Sequence, residues 1–193
     1  MEEIILASAS LQRREFLRLL GLPFTCVPSP LQEIVAPHED ARAAAERLAV
    51  QKVNAVVPLA AHARWVFAAD TLVSLGGEIF GKPADRNDAA RMLRALGGRT
   101  HEVVSAAALY SGAANAIDCR SVSSAVTFAP LSPGEIEWYL DSGEWQGAAG
   151  AYKIQGLASC FVVSITGSFS SIVGLPLREF YDMLRDNGYP YGG

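Results

Sequence analysis

The segment Phe67-Ala68-Ala69-Asp70-Thr71-Leu72-Val73 most constrains the fold of this chain, because it is an apolar run that contains a single carboxylate. A run of this length is typical of a buried strand. A lone ionised carboxylate is very costly to bury, so Asp70 must be ion-paired, hydrated at a cleft or bound to a metal ion. Lys82 follows in Gly81-Lys82-Pro83, just after a turn. The sequence therefore predicts a strand that carries an acid into an ion pair or a cleft.

The overall composition favours a cytoplasmic α/β protein. The chain has 193 residues, of which 50% are hydrophobic, enough for one substantial core or for two lobes that share a cleft. The net charge is −4 and no basic stripe is visible, so we expect no nucleic-acid polymer as a partner. We also expect no membrane partner, because no segment reaches the roughly 18 apolar residues of a membrane helix and the N-terminus does not resemble a signal peptide.

The cysteines and histidines indicate neither a disulfide framework nor a zinc site. Cys26, Cys119 and Cys160 are odd in number and far apart, which fits a reduced, cytoplasmic setting. Cys160 begins an apolar run, so we expect it in the core. The three histidines are scattered along the chain.

Strands and helices alternate early in the chain, and long adjacent strands follow. This order predicts a mixed α/β protein in a single domain over residues 1–193. The predicted strands cover residues 4–7, 24–27, 65–75, 78–80, 101–110, 116–128 and 160–165. The predicted helices cover residues 11–20, 39–57, a segment capped by Asp85 and ended by Gly97, a segment from Ser132 to Leu140, and 177–185.

Lys52 lies on the apolar stripe of the helix predicted over 39–57. The stripe residues Ala41, Ala45, Leu48 and Lys52 are spaced by four, three and four, so helical periodicity predicts a buried lysine side chain. Its ammonium group could bind phosphate, or it could snorkel to water while the stem packs. Lys82 has the same two interpretations, as a phosphate ligand or as an ordinary lysine in a turn.

The segment from Ser8 to Arg14 lies where a strand gives way to a helix. Helix N-termini favour anions, and arginine binds phosphate in a bidentate manner, so Ser8, Ser10 and Arg13 could hold phosphate. Alternatively, Ser10 is an N-cap and the arginines are solvated.

Two carboxylates, Glu33 and Asp70, could act as metal ligands or as a general base. Mg²⁺ on a polyphosphate commonly uses one or two carboxylates together with phosphate oxygens. Glu33 could equally be an ordinary surface glutamate. Asp70 could equally be one member of a structural ion pair.

The segment from Gly143 to Gly156 is rich in glycine and alanine, but it contains no Walker motif. Small residues let the backbone approach a ligand closely. Tyr152 could stack on a base and Gln155 could read a base edge with its amide. Otherwise the segment is a loop packed on its neighbours.

Taken in order, these pieces resemble the Maf family of nucleoside triphosphate pyrophosphatases, and the resemblance covers nearly the whole chain. It rests on Leu6-Ala7-Ser8-Ala9-Ser10 with Arg13-Arg14, Glu33, Leu48-Ala49 with Lys52, Ala69-Asp70-Thr71 with Val73, Gly81-Lys82-Pro83, Gly98-Arg99-Thr100-His101, Ser142-Gly143-Glu144, Ala149-Gly150-Ala151-Tyr152 with Ile154-Gln155-Gly156, and Gly167-Ser168 with Val173-Gly174-Leu175-Pro176-Leu177.

The resemblance implies an elongated α/β sheet with flanking helices around a central cleft between two lobes, often in a homodimer. It implies hydrolysis of a nucleoside triphosphate to the monophosphate and pyrophosphate, with Mg²⁺ or Mn²⁺ as cofactor. Asp70 would be the general base and a metal ligand, and Glu33 would help to hold the metal. The triphosphate would be bound by Ser8, Ser10, Arg13, Lys52 and Lys82.

The resemblance also suggests which base is selected. Thr71 and Gln155 fall at the family's base-selecting positions, and this pair is typical of the dTTP/UTP branch. Gln12 is a departure, because that branch has arginine there, and Ala148 and Lys153 also differ from the usual residues. A preference for another base, such as that of 7-methyl-GTP, is an alternative, as is a nucleotide-sensing regulator of septum formation.

Overall fold

The computed structural model of the chain describes residues 1–36, 38–60 and 62–191. Its elements confirm the predicted mixed α/β class. The strands are β1 (Ile4–Leu6), β2 (Phe24–Cys26), β3 (Trp65–Leu75), β4 (Glu78–Phe80), β5 (Thr100–Ser111), β6 (Ala116–Phe128) and β7 (Val162–Thr166). The helices are α1 (Leu11–Leu19), α2 (Ala41–Val56), α3 (Arg86–Leu96), α4 (Pro133–Asp141), α5 (Phe169–Val173) and α6 (Leu177–Asp186).

The seven strands form one mixed sheet in the order β2-β1-β3-β5-β6-β7, and β4 also pairs with β3. β1 runs parallel to β2 and β3, whereas the other pairs are antiparallel. Gly76 and Gly77 join β3 to β4 with φ of 60° and 86°, the left-handed backbone that a two-residue hairpin requires.

One edge of β3 has a gap that positions the site. β5 pairs with the other edge along residues 65–74. On the first edge, β1 pairs with residues 65–67 and β4 with residues 73–75. No other described strand pairs with the stretch 68–72 on that edge. The backbone around Asp70 therefore has no paired strand on that edge among the described residues.

The helices α1, α3, α4 and α6 begin where the sequence predicts, whereas α2 begins at Ala41, two residues later than predicted, because Asp40 caps it. Ser10, Asp40, Asp85 and Ser132 each accept a hydrogen bond from a backbone N–H in the first turn of the helix they cap, and Ser132 forms a complete capping box with Glu135. These caps satisfy N–H groups that the helices leave free.

The buried apolar side chains form three clusters around the sheet. One packs α2 on the sheet and contains the alanine-rich stripe of that helix. A second lies under α1 and α6, and the third lies under α3 and α4. The division into two lobes stays a prediction.

The prediction for Cys160 is wrong, because this side chain is exposed. The apolar run does not begin as a strand. It begins as a 3₁₀ turn, Leu157–Phe161, which directs Ala158 and Phe161 into the core and Cys160 outward, and β7 begins only at Val162.

Helix α5 was not predicted. In the part of the chain that is described, no helix is long and apolar enough to cross a membrane.

Candidate active site

A cleft of about 430 Å³ lies at the gap in the edge of β3. Its walls are the loop that enters α1, the open stretch of β3, the segment 146–155 and the end of α5. All ten side chains that the sequence proposed for the site line this cleft: Ser8, Ser10, Gln12, Arg13, Glu33, Lys52, Asp70, Thr71, Lys82 and Gln155.

A chain of alternating charges runs along the cleft floor. Lys52 contacts the carboxylate of Asp70, and its Nζ lies 2.6 Å from Glu33 Oε1. Glu33 Oε2 lies 2.6 Å from Lys82 Nζ. Lys52 and Asp70 are only 5% and 4% exposed, so the lysine head does not snorkel and the acid is paired inside a cleft. Asp70 therefore has the ion pair that one interpretation predicted, and it also lines the cleft, whereas its role as metal ligand or base stays a prediction.

Glu33 is held in its ionised form by the two lysines. Burial alone would raise the pKa of Glu33, but the charge of Lys52 and hydrogen bonds from Lys52 and Lys82 together lower it to about 2. Glu33 lies in an irregular segment whose sequence resembles ordinary surface loop. Only the fold shows that it bridges two lysines that lie 30 positions apart.

Arg13 is buried at the end of the cleft nearest α1. Its Nε donates to the carbonyl of Gly174 at 2.9 Å and its Nη1 donates to Ser8 Oγ at 3.2 Å. Burial lowers the pKa of Arg13, and the charges of Asp70 and Glu33 oppose that shift. The prediction that Arg13 is solvated is therefore wrong, and a fixed guanidinium faces the cleft beside two carboxylates.

The two serines before α1 support this arrangement. Ser8 Oγ also accepts the N–H of Ser10 at 3.2 Å, so it lies between the loop backbone and Arg13. Ser10 is the N-cap of α1, as one interpretation predicted, and its hydroxyl donates to Gln12 Oε1 at 3.2 Å. Gln12 is thereby held at the mouth of the cleft.

The glycine-rich wall approaches β3 closely. Gly150 has φ of 66°, and a Cβ there would lie 3.0 Å from a methyl carbon of Val73. Its N–H donates to the carbonyl of Gly81 at 3.0 Å. Tyr152 is packed behind this wall, with its hydroxyl 2.8 Å from His101 Nε2, so packing describes it better than base stacking. Gln155 is exposed at the rim.

Sequence reasoning missed two groups of buried polar side chains behind the cleft. His101 is 2% exposed and packs against Phe128 and Tyr152, and its Nδ1 has no partner among the described residues. Ser105, Ser124 and Ser171 are also buried. His101, Ser105 and Ser124 lie on strands β5 and β6 and Ser171 lies in α5, and in each case only the spatial neighbours show that the side chain is buried.

Burial of His101 predicts a pH-dependent stability. Its pKa is lowered from 6.5 to about 4 because the charged ring is desolvated. The unfolded chain therefore binds more protons between these values, and the free energy of unfolding should fall by roughly 3 kcal/mol as pH drops from 7 to 4. Urea unfolding at pH 7 and pH 5 should show a shallower pH slope for His101→Gln. The exposed His62 is the control: His62→Gln should leave the slope unchanged, and an equal effect of both variants would contradict the assignment.

The donor set fits a metal ion only together with a ligand. The carboxylates of Asp70 and Glu33 both contact Lys52. The described residues contain no cluster of three or more acidic, histidine or cysteine side chains that could hold a metal alone. Magnesium commonly takes one or two carboxylates and completes its shell with phosphate oxygens and water. Fold and cleft thus define an α/β protein with paired lysines and carboxylates in a cleft at the edge of its sheet.

Comparison with known proteins agrees with that class. Residues 3–187 match the family model of Maf-like proteins. The chain is 45% identical to the dTTP/UTP pyrophosphatase of Anaeromyxobacter sp. strain Fw109-5, over 97% of this chain and 90% of that protein. It is 47% identical to the dTTP/UTP pyrophosphatase of Cereibacter sphaeroides, over 97% and 96%. The corresponding protein of Escherichia coli strain 536 is 44% identical, over 96% and 93%.

The chain therefore belongs to the Maf-like protein family. Among solved structures, the Ham1 protein of Staphylococcus aureus matches with a TM-score of 0.49 and 15% identity, over 66% of this chain and 72% of that chain. That likeness is too distant to bear on the site.

Proposed function

We propose that this protein is a nucleoside triphosphate pyrophosphatase that hydrolyses UTP or dTTP to the monophosphate and pyrophosphate. The observation that carries the proposal is that Arg13, Lys52 and Lys82 lie together with the carboxylates Glu33 and Asp70 in one cleft, which Lys153 also lines. The proposal is supported by relatives named dTTP/UTP pyrophosphatases at 43–47% identity.

The triphosphate would lie against the cationic side of the cleft. Arg13 is held rigidly by Gly174 and Ser8, so its guanidinium is pre-oriented for phosphate oxygens. The N-terminal end of α1 borders the same space and adds its partial positive charge. Lys52 and Lys82 would exchange a carboxylate contact for a phosphate contact.

Asp70 would orient and deprotonate the attacking water. It lies at the gap in the edge of β3, where a water can approach, and a carboxylate within hydrogen-bond reach of water is an effective general base. Asp70 and Glu33 would also hold Mg²⁺ or Mn²⁺, whose charge would stabilise the phosphate oxygens when bound. Cleavage of a phosphoanhydride needs this charge neutralisation more than a strong nucleophile.

Base selection would fall to the rim of the cleft. Thr71 on β3 and Gln155 in the segment 146–155 both line the cleft, and Gln12 is hydrogen-bonded by Ser10 at the start of α1. We propose a pyrimidine preference from Thr71 and Gln155, with Gln12 replacing the arginine that the resemblance leads us to expect.

We also propose a cytoplasmic homodimer. A sedimentation mass equal to one chain would contradict the dimer.

A panel of nucleoside triphosphates tests the proposal. The folded protein would be incubated with UTP, dTTP, CTP, ATP, GTP and 7-methyl-GTP in the presence of Mg²⁺, and pyrophosphate release would be measured for each. We expect UTP and dTTP to be the best substrates. Release of pyrophosphate from none of the six would overturn the proposal, and binding without turnover would favour a nucleotide sensor.

A further inference from the structure

Behind Thr71, a row of buried hydroxyl groups crosses from β3 to α5. Thr71 on β3 is paired in register with Ser105 on β5, and their hydroxyl oxygens lie 2.7 Å apart. Ser105 Oγ lies 2.5 Å from the carbonyl oxygen of Ser171 in α5. Ser105 and Ser171 are both fully buried, so no water competes for these bonds.

The direction of these hydrogen bonds follows from the chemistry of the last acceptor. A carbonyl oxygen only accepts, so Ser105 must donate its single hydroxyl proton to Ser171. Ser105 Oγ can then only accept from Thr71, and Thr71 must donate its own proton to Ser105. The hydroxyl of Thr71 therefore presents only lone pairs to the cleft.

A second set of hydrogen bonds fixes the carbonyl that sets this direction. Ser171 Oγ donates to the carbonyl of Ser168 at 2.7 Å. Ser124 Oγ lies 2.9 Å from Ser171 Oγ and 3.4 Å from the same carbonyl, so its proton goes to one of these two acceptors. Ser124 Oγ also accepts the N–H of Ser168 at 3.0 Å. Ser168 and Ser171 thus fasten the short α5 to Ser124 on β6. The carbonyl of Ser171 cannot turn away from Ser105 without breaking these bonds.

We propose that Ser105 is a positioning residue for base selection, because it holds the Thr71 hydroxyl as a hydrogen-bond acceptor. Resting on the proposed function, this makes the cleft take a base that offers an N–H at that point. On their pairing edge, uracil and thymine carry N3–H between two carbonyl oxygens, whereas cytosine N3 carries a lone pair. When cytosine N3 faces the Thr71 hydroxyl, neither group has a hydrogen-bond donor to accept from. A site that leaves polar groups unpaired in this way discriminates strongly against that base.

The other specificity residues are compatible with this assignment. Gln155 is exposed at the rim, and its amide can donate to a base carbonyl beside the N–H that Thr71 accepts. Gly174, at the end of α5, has no side chain, and a Cβ there would lie 3.9 Å from Thr71 Oγ1. Space next to the Thr71 hydroxyl therefore stays open to a ligand.

Selectivity between UTP and CTP tests the proposal. In Ser105→Ala the Thr71 proton is free to turn into the cleft and donate to cytosine. We expect the ratio of kcat/KM for UTP to that for CTP to fall by about tenfold or more, mainly through a gain for CTP. Activity with UTP should change by less than about threefold, because Thr71 can still accept.

The matched control is Ser111→Ala. Ser111 is a buried serine on the same strand β5, but it does not line the cleft and is not hydrogen-bonded to Thr71 or Ser105. This variant also removes a buried hydroxyl, and it should keep the UTP-to-CTP ratio. An equal change of the ratio in both variants would assign Ser105 a merely structural role and would overturn the proposal, as would an unchanged ratio in Ser105→Ala.

A double-mutant cycle identifies Thr71 as the residue through which Ser105 acts. In a Thr71→Val background, Ser105→Ala should no longer change the ratio. A change of the same size as in the wild type would contradict the proposal.

If Ser105→Ala does not fold, Ser105→Cys weakens the same hydrogen bonds with a closer volume and should shift the ratio in the same direction. A wild type that cleaves no triphosphate would overturn the proposed function first; one that cleaves UTP and CTP equally would overturn only this inference.

Discussion

Replacing Asp70 with asparagine should lower kcat for UTP by roughly 10²–10⁴-fold while the protein stays folded. Asparagine has nearly the same shape, and its amide oxygen can still accept a hydrogen bond from Lys52, so the buried contact survives. The amide cannot take a proton from water and is a weaker metal ligand than a carboxylate. The loss should therefore appear in kcat more than in KM for the nucleotide.

The control for this experiment is Asp141→Asn. Asp141 ends α4, its side chain is 72% exposed and it lies outside the cleft, so its loss should leave turnover unchanged. Steady-state kinetics with UTP and circular dichroism of both variants give the comparison. Turnover by Asp70→Asn within about threefold of the wild type would remove Asp70 from the role of base.

Replacing Lys52 with methionine should abolish activity and lower the free energy of unfolding at pH 7 by about 3 kcal/mol or more. Methionine fills a similar volume but leaves two carboxylates, Asp70 and Glu33, without the cation that they share. Removing one partner of a buried ion pair is costly because the remaining charge is neither hydrated nor neutralised.

The pH dependence of this loss gives a second readout. In the wild type, the pKa of Glu33 is lowered from 4.5 to about 2, so its ion pairs stabilise the fold above pH 4.5 and that contribution is lost as pH falls toward 2. The stability difference between wild type and Lys52→Met should thus be largest above pH 4.5 and shrink below it. Urea unfolding at pH 7 and pH 3.5 measures this.

Arg91→Met is the control for removal of a surface cation. Arg91 pairs with Glu78 and Asp88 on the exposed side of α3, and such pairs contribute about 0–1 kcal/mol. It should cost about 0–1 kcal/mol at pH 7, so it leaves little stability that a change to pH 3.5 could remove. A Lys52→Met protein as stable as Arg91→Met would show that the buried pairs contribute no more than surface pairs.

What the sequence predicted correctly depends on local signals. The strand around Asp70 follows from its apolar run, and the burial of Lys52 follows from helical spacing on α2. The caps at Ser10, Asp85 and Ser132 follow from side chains that bond within three residues. In each case the residues that decide the structure are neighbours along the chain.

What the sequence could not predict depends on contacts between distant residues. Glu33 meets Lys82 across 49 positions, and Ser105 meets Ser171 across 66. The gap in the edge of β3 exists only because β1 and β4 pair with different parts of one strand. The prediction for Cys160 is wrong for a related reason, since an apolar run does not distinguish a strand from a 3₁₀ turn that buries every third side chain, here Ala158 and Phe161.

The product of UTP hydrolysis tests the central proposal most directly. Wild-type protein with UTP and Mg²⁺ would be followed by ³¹P nuclear magnetic resonance, with Asp70→Asn run in parallel. We predict that the UTP signals are replaced by those of UMP and pyrophosphate, and that they persist in the variant. Conversion to UDP and phosphate, or equal turnover by the variant, would contradict cleavage between the α- and β-phosphates with Asp70 as the base.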